Sequence, residues 1–205
     1  MDLKLIYGNM RALCEAPQMM LHYADIPYEY KMVWDHYGSS WAEVKKDIIF
    51  NRLPILIINE DKYLWQSNTI IRYLSNLTKT KPSDEFQLAY CDAVFESTHE
   101  MFSPLNPTIN MTFGEKYNSN KKKLLEDILP NSLNNFEKLL QNSSGNFFIG
   151  NDPFYCDFNA YHHFSMCLIL DKNIFSNFPN LKKFINNFEK LNNIKNYLDG
   201  RPELV

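Results

Sequence analysis

Residues 53–77 read "LPILIINEDKYLWQSNTIIRYLSNL". The hydrophobic spacing in this stretch changes period, and that change sets the fold class. Leu53–Ile58 is a continuous apolar run, as in a strand covered on both faces. "NED" at 59–61 is a polar break short enough for a hairpin, and Lys62–Trp65 reads as the returning strand. Beyond Gln66, the residues Ile70, Ile71, Leu74 and Leu77 recur at helical spacing. Ser67 then falls where a helix N-cap belongs. A lone serine there is only a cap. With unpaired N–H groups and the positive end of a helix dipole beside it, the same serine is also a seat for an anion. The rest of the chain has to decide between them.

Upstream the pattern alternates. "LKLIYG" (3–8) is a short apolar strand. "RALCEAPQMMLHYA" (11–24) is helical in spacing, with Pro17 in its first turns, where a missing N–H costs least. "YEYKMVW" (28–34) is a second strand, and "SSWAEVKKDI" (39–48) a short helix in a polar connector. Strand–helix–strand implies a parallel crossover. Pro54 either opens the third strand plainly or, with a cis Leu53–Pro54 bond, forms a sharp turn that exposes the backbone of Arg52 and Leu53. After the polar connector "TKTKPSDE" (78–85) strand signals nearly vanish. Helical patterns follow over 87–101, 121–141, 156–170 and 180–198, the last broken near Asn192. The expected organisation is an α/β domain over 1–78 and an all-helical domain over 85–205.

The chain has 205 residues, 45% hydrophobic and 15% aromatic, with a net charge of −3. Mixed charge gives no electrostatic footprint for nucleic acid. The run Lys121–Lys123 is followed by Glu126 and Asp127 and reads as a solvated helix face. Cys14, Cys91, Cys156 and Cys167 lack zinc or redox spacing, so no metal is expected and reduced cytoplasmic thiols are. No signal peptide and no apolar run near ~18 residues is found, so no membrane span is expected.

The tyrosine ending "LIYGNMR", "SSWAEVKK", "NRLPIL" and "QSNTIIRYL", in that order, together resemble the thioredoxin-like domain of cytosolic glutathione transferases of the tyrosine type. "NMR" and the stretch from Asn9 to Ile26 are similar to the sigma class, which includes the haematopoietic prostaglandin D synthases. "QSNTI" is equally similar to the pi class. "FFIGNDPFYCDFNAY" (147–161) resembles the family's loop-and-helix signature in the helical domain.

The resemblance implies a homodimeric detoxification enzyme that joins the glutathione thiol to hydrophobic electrophiles, with isomerase or peroxidase side activity. The alternative is a non-catalytic glutathione- or ligand-binding protein of the same fold. It assigns Tyr7 as the donor to the thiolate, and the chemistry suits it, because a phenol with pKa ~10 stays a neutral donor at pH 7. It assigns Gln66 and Ser67 to the γ-glutamyl carboxylate and the backbone of Leu53, before Pro54, to the cysteinyl part. Trp41, Lys45 and Arg52 are assigned to the glycyl carboxylate. Glu100 of the partner subunit would meet the γ-glutamyl amine, with His99 beside it a positioning or surface residue. Phe50 would be an aromatic key into the partner, unless it is buried in its own domain. Gly8, Phe102, Pro107 and the chain end would line the electrophile pocket.

The chain also departs from the family pattern. Leu13 stands where sigma enzymes carry an arginine near the thiolate, Arg11 covering this only in part. Gly8 replaces a bulky residue, and the connector between Trp34 and Trp41 is long. Phe154 removes the hydroxyl half of a capping box whose acidic half is Asp157. Cys14 sits too late in the chain, and without a second cysteine, for thiol exchange.

Overall fold

The computed structural model describes residues 1–201. In chain order the elements are β1 (Leu3–Tyr7), α1 (Glu15–Tyr23), β2 (Glu29–Met32), α2 (Val33–Tyr37), α3 (Trp41–Val44), β3 (Ile55–Ile58), β4 (Lys62–Trp65) and α4 (Ser67–Leu77). Six helices follow: α5 (Glu85–Met111), α6 (Gly114–Lys123), α7 (Leu129–Asn142), α8 (Tyr155–Leu170), α9 (Pro179–Glu189) and α10 (Asn192–Gly200). Two compact units result, Met1–Thr80 together with the chain from Asn192 onward, and Lys81–Leu191. The segment expected over 85–205 therefore gives up its last helix to the first unit.

In the first unit the sheet order is β2-β1-β3-β4. β2 pairs with β1 in parallel, as a crossover helix demands, and β3 and β4 run antiparallel. β3 is buried at all four positions, which explains its unbroken apolar run. Ile6, Ile55 and Ile57 pack with Val33 and Ile48, and Trp41, Val44, Leu53 and Trp65 surround them. The connector thus covers one face of the sheet. By alternation, Leu3, Leu5, Leu56 and Ile58 point to the other face, where α1 packs on α4 and α4 on β3. Ile70, Ile71 and Leu74 of α4 are almost fully buried, each worth about 1.5–3 kcal/mol. α10 packs on α1.

The second unit is built around α8, buried along nearly its whole length, with α5 its main partner. Rings from four segments interlock there, among them Phe136, Phe147, Phe164, Phe184 and Phe188. α5 runs ten residues beyond the expected Met101, through Pro104 and Pro107. Thr108 Oγ1 donates to the Pro104 carbonyl at 2.8 Å, a side-chain bond back onto the preceding turn. The helix expected over 121–141 begins earlier, as α6, and passes through a π turn at Leu124–Ile128 into α7. Asp84 caps α5 by accepting from the Gln87 N–H at 2.8 Å.

Phe154 offers no hydroxyl to α8, yet the acidic half of the box works. Asp157 accepts from the Phe154 N–H at 2.8 Å and the Phe148 N–H at 3.1 Å, tying the preceding loop to the helix.

Candidate functional site

The register of the sheet gathers the candidate residues. Ile6 lies opposite Ile55, and Ile55 opposite Trp65. One step further along each strand come Tyr7, Pro54 and Gln66, so all three leave the same edge of the sheet. Strands are ~4.8 Å apart, so Tyr7 and Gln66 are about 10 Å apart along that edge, roughly the length of three extended residues.

Tyr7 is 6% exposed. Its hydroxyl accepts a hydrogen bond from the Leu13 N–H at 3.2 Å. Burial, and next the neighbouring Cys14, push the phenol well above its ordinary range, with the Leu13 N–H acting in the opposite sense. The group is therefore a neutral O–H at physiological pH. Among the described residues its own proton has no acceptor. Leu13 was read as the loss of a helpful charge. It contributes instead through its main chain, which any residue would supply, so the side-chain sequence carries no signal for it.

At the other end of the row, Gln66 is the residue before α4 and Ser67 the first residue inside it. Ser67 is therefore not the cap. Among the described residues its hydroxyl reaches only Asn68 Oδ1, at 3.5 Å. Gln66 has φ 69°, a left-handed value that costs a non-glycine residue about 1–3 kcal/mol. The conformation points the chain sharply into the helix, whose first N–H groups have no intrahelical acceptor. Between these ends, the Leu53–Pro54 bond is cis. The backbone N–H and C=O of Leu53 take no partner among the described residues, and its side chain packs on the apolar cluster under the sheet.

Trp41 opens α3, and the Lys45 ammonium lies 6.0 Å from its ring centroid. Ser40 and Glu43 hold the start of this helix, the Ser40 N–H donating to the Glu43 carboxylate at 2.9 Å. Arg52 is exposed and extended just before Leu53. Gly8 has open space where a side chain would be, and its carbonyl accepts from the Tyr30 hydroxyl at 2.8 Å.

Phe50 is 59% exposed, held edge-on to Trp65 at 6.1 Å. The competing expectation, a ring buried in its own domain, does not hold. In the second unit Glu100 is exposed on the wall of a cleft of about 290 Å³ that Ser97, Met101, Ile128 and Phe136 also line. His99 is half-buried, its imidazole pushed toward the neutral form by burial. Pro107 is half-buried on α5. Phe102 corrects an expectation: it is 1% exposed and stacked on His163 at 4.0 Å, a core ring that offers no wall to a substrate. α5 runs on through Pro104 and Pro107, and Phe102 lies on its inner face toward α8. Cys14 is fully buried, and burial raises its thiol well above the ordinary range, which removes it as a nucleophile. Glu15, Tyr197 and Arg201, which form a buried cluster described below, drew no attention in the sequence.

Residues 1–76 match the family profile described as glutathione S-transferase, N-terminal domain, and residues 99–201, half of the chain, that of the C-terminal domain. The chain is 29% identical to glutathione S-transferase P of Caenorhabditis elegans, with 100% of this chain and 95% of that protein aligned. It is 32% identical to a glutathione S-transferase of Plasmodium yoelii yoelii, over 82% of this chain and 79% of that one. Among solved structures it is similar to the Pi-class glutathione S-transferase of Onchocerca volvulus, with TM-score 0.86 and 26% identity over 98% and 94% of the two chains. Rat hPGDS complexed with a quinoline superposes with TM-score 0.87 at 25% identity, over 99% and 98%.

Proposed function

The chain belongs to the glutathione S-transferase family, and on that premise we propose how its residues carry the activity. It is an enzyme that joins the glutathione thiolate to hydrophobic electrophiles. A free thiol has pKa ~8.5 and is mostly protonated at neutral pH. Lowering it by ~2 units takes ~2.7 kcal/mol of preference for the thiolate. One hydrogen bond to a charged group supplies about 1.5–3 kcal/mol. In our reading Tyr7 donates that bond, oriented by the Leu13 N–H on its oxygen. Gln66, Ser67 and the start of α4 hold the γ-glutamyl carboxylate. The unpaired backbone of Leu53 pairs with the cysteinyl residue between them. Trp41, Lys45 and Arg52 receive the glycyl carboxylate.

The observation that carries this reading is the single row Tyr7–Pro54–Gln66, with a neutral donor at one end, an anion seat at the other and free main chain between. We further propose a cytosolic homodimer. Phe50 of one subunit would enter the partner's cleft beside Glu100, and Glu100 would reach the γ-glutamyl amine across the interface. The electrophile would meet the sulfur beside Gly8, where open space replaces a side chain; the chain end expected to line the same pocket lies outside the described residues. The likeness to rat hPGDS supports assaying isomerase activity as well.

The test is conjugation of a chlorodinitrobenzene by the protein and by Tyr7→Phe. We expect kcat/KM near neutral pH to fall about 10–100-fold. The deficit should shrink as pH rises past ~8.5, where the thiol ionises unaided. Full activity in the variant at neutral pH removes the mechanism. Retention on immobilised glutathione without turnover by the unaltered protein would favour a binding role instead.

A further inference from the structure

In the second unit a cleft of about 490 Å³ opens between the start of α5, the end of α7 and the loop before α8. That is within the size of small-molecule sites. It shares no lining residue with the glutathione site proposed above or with the cleft beside Glu100. Its walls are aromatic, with the rings of Phe86, Tyr90, Phe148 and Phe154 among them. Phe148 is 3% exposed and belongs to the core, whereas Phe86 is 76% exposed. Phe86, Tyr90 and Phe154 make no ring contact and hold no cation among the described residues. Large exposed rings at the lip of a concavity mark a binding surface.

The electrostatics select the sign of the ligand. Asp152 is the one charged side chain among the residues lining the cleft. It is exposed and takes neither ion pair nor hydrogen bond among the described residues. α7 ends here, at Asn142, and the last carbonyls of a helix carry partial negative charge. α5 and α8 bring their positive ends to the same cleft, but each is answered by its own carboxylate. Asp84 accepts from the Gln87 N–H and Asp157 from the Phe154 N–H, both at 2.8 Å. Asp152 and the end of α7 remain unanswered. The faces of aromatic rings are negative as well, so rings beside a free carboxylate attract a weakly hydrated organic cation. The walls are also set in advance. Asp157 holds the Phe148 N–H, and the Phe147 N–H closes the loop onto the Gly150 carbonyl at 3.0 Å. Little is left to order when a ligand enters.

We propose that this cleft is a second ligand site, for a small quaternary ammonium cation that carries an apolar group. The ammonium lies among the rings of Phe86, Tyr90 and Phe154, close to the Asp152 carboxylate. The test is calorimetric titration of benzyltrimethylammonium chloride into the full chain at low salt. Expected is a Kd below about 5 mM. Phe86→Leu keeps an apolar side chain but removes the ring, and should weaken binding about two- to five-fold. Phe86→Trp restores a ring and should bind at least as tightly as the parent. Asp152→Lys reverses the local charge and should weaken binding at least about five-fold. Both positions are exposed, so the urea midpoint of each variant should stay close to that of the parent. No binding at about ten millimolar cation, a Kd that Phe86→Leu leaves unaltered, or one that Asp152→Lys leaves unaltered would each overturn the proposal. A loss of binding in Phe86→Trp as large as that in Phe86→Leu would overturn it too, since the ring would then not be what holds the cation.

Discussion

The buried pair Glu15–Arg201 offers the sharpest test of how the chain is assembled. It joins the first turn of α1 to the residue just after α10. The Glu15 side chain is 1% exposed and that of Arg201 17%, so salt screens the pair little. Arg201→Met would leave a carboxylate out of water with one neutral donor, the Tyr197 hydroxyl. Breaking such a pair from one side costs about 3–5 kcal/mol. Against a domain stability of ~5–15 kcal/mol, that is a large share. The double variant Glu15→Gln/Arg201→Met removes both charges and keeps an acceptor for Tyr197. Its stability should return to within about 1–2 kcal/mol of the parent. Urea unfolding followed by tryptophan fluorescence is the assay. Trp34, Trp41 and Trp65 all lie in the first unit, so the signal reports the unit that holds the pair. With an m-value of ~1–3 kcal/mol per M, the single variant should lower the midpoint by roughly 1–5 M. A loss under ~1 kcal/mol for Arg201→Met, or a double variant no better than the single, would refute the buried-charge reasoning.

Ser67→Ala should weaken glutathione binding about five- to ten-fold by calorimetry yet barely shift the urea midpoint, because Ser67 does not cap its helix; the reverse pattern would return the serine to a structural role. His163 is buried beside His162 and His99, and burial first, then those rings, holds its imidazole neutral well below the usual range. Its contribution is complete above pH ~6.5 and is lost as pH falls, by about 1.4 kcal/mol per unit. Asp157, which burial raises to about 7, has the opposite sign and stabilises as pH falls below that value. His163→Phe should therefore gain on the parent by that slope below pH 6.5 in urea titrations at stepped pH, while a constant difference would show that the ring already titrates normally. Gly145→Ala would drive a methyl group into the backbone of Gly150, and we expect a loss of about 2 kcal/mol or more by thermal unfolding.

Much of the site was legible because its signals are local. A tyrosine at the end of an apolar strand, a proline opening the next and a polar pair before an amphipathic helix each declare themselves within ten residues. Their convergence was implied by resemblance alone, since it depends on the register of β1, β3 and β4. The Leu13 N–H and the left-handed Gln66 were invisible, one because main-chain groups are common to all residues, the other because propensity disfavours the conformation found. Phe102 was misplaced because an aromatic ring on a helix can face either way, and only the packing of α8 against α5 turned it inward.

By itself the sequence determined the kinds and order of most elements, though not α2 or the division of α6 from α7, since hydrophobic period follows directly from the geometry of helix and strand. It also carried the residue chemistry of the edge that Tyr7, Pro54 and Gln66 share. Only the tertiary structure decided that α10 belongs with the first unit, that Glu15 is buried, and that Arg201 and Tyr197 answer it across more than 180 positions of sequence. The physical reason is that a buried charge needs a partner, and which partner reaches it depends on packing that no local pattern encodes.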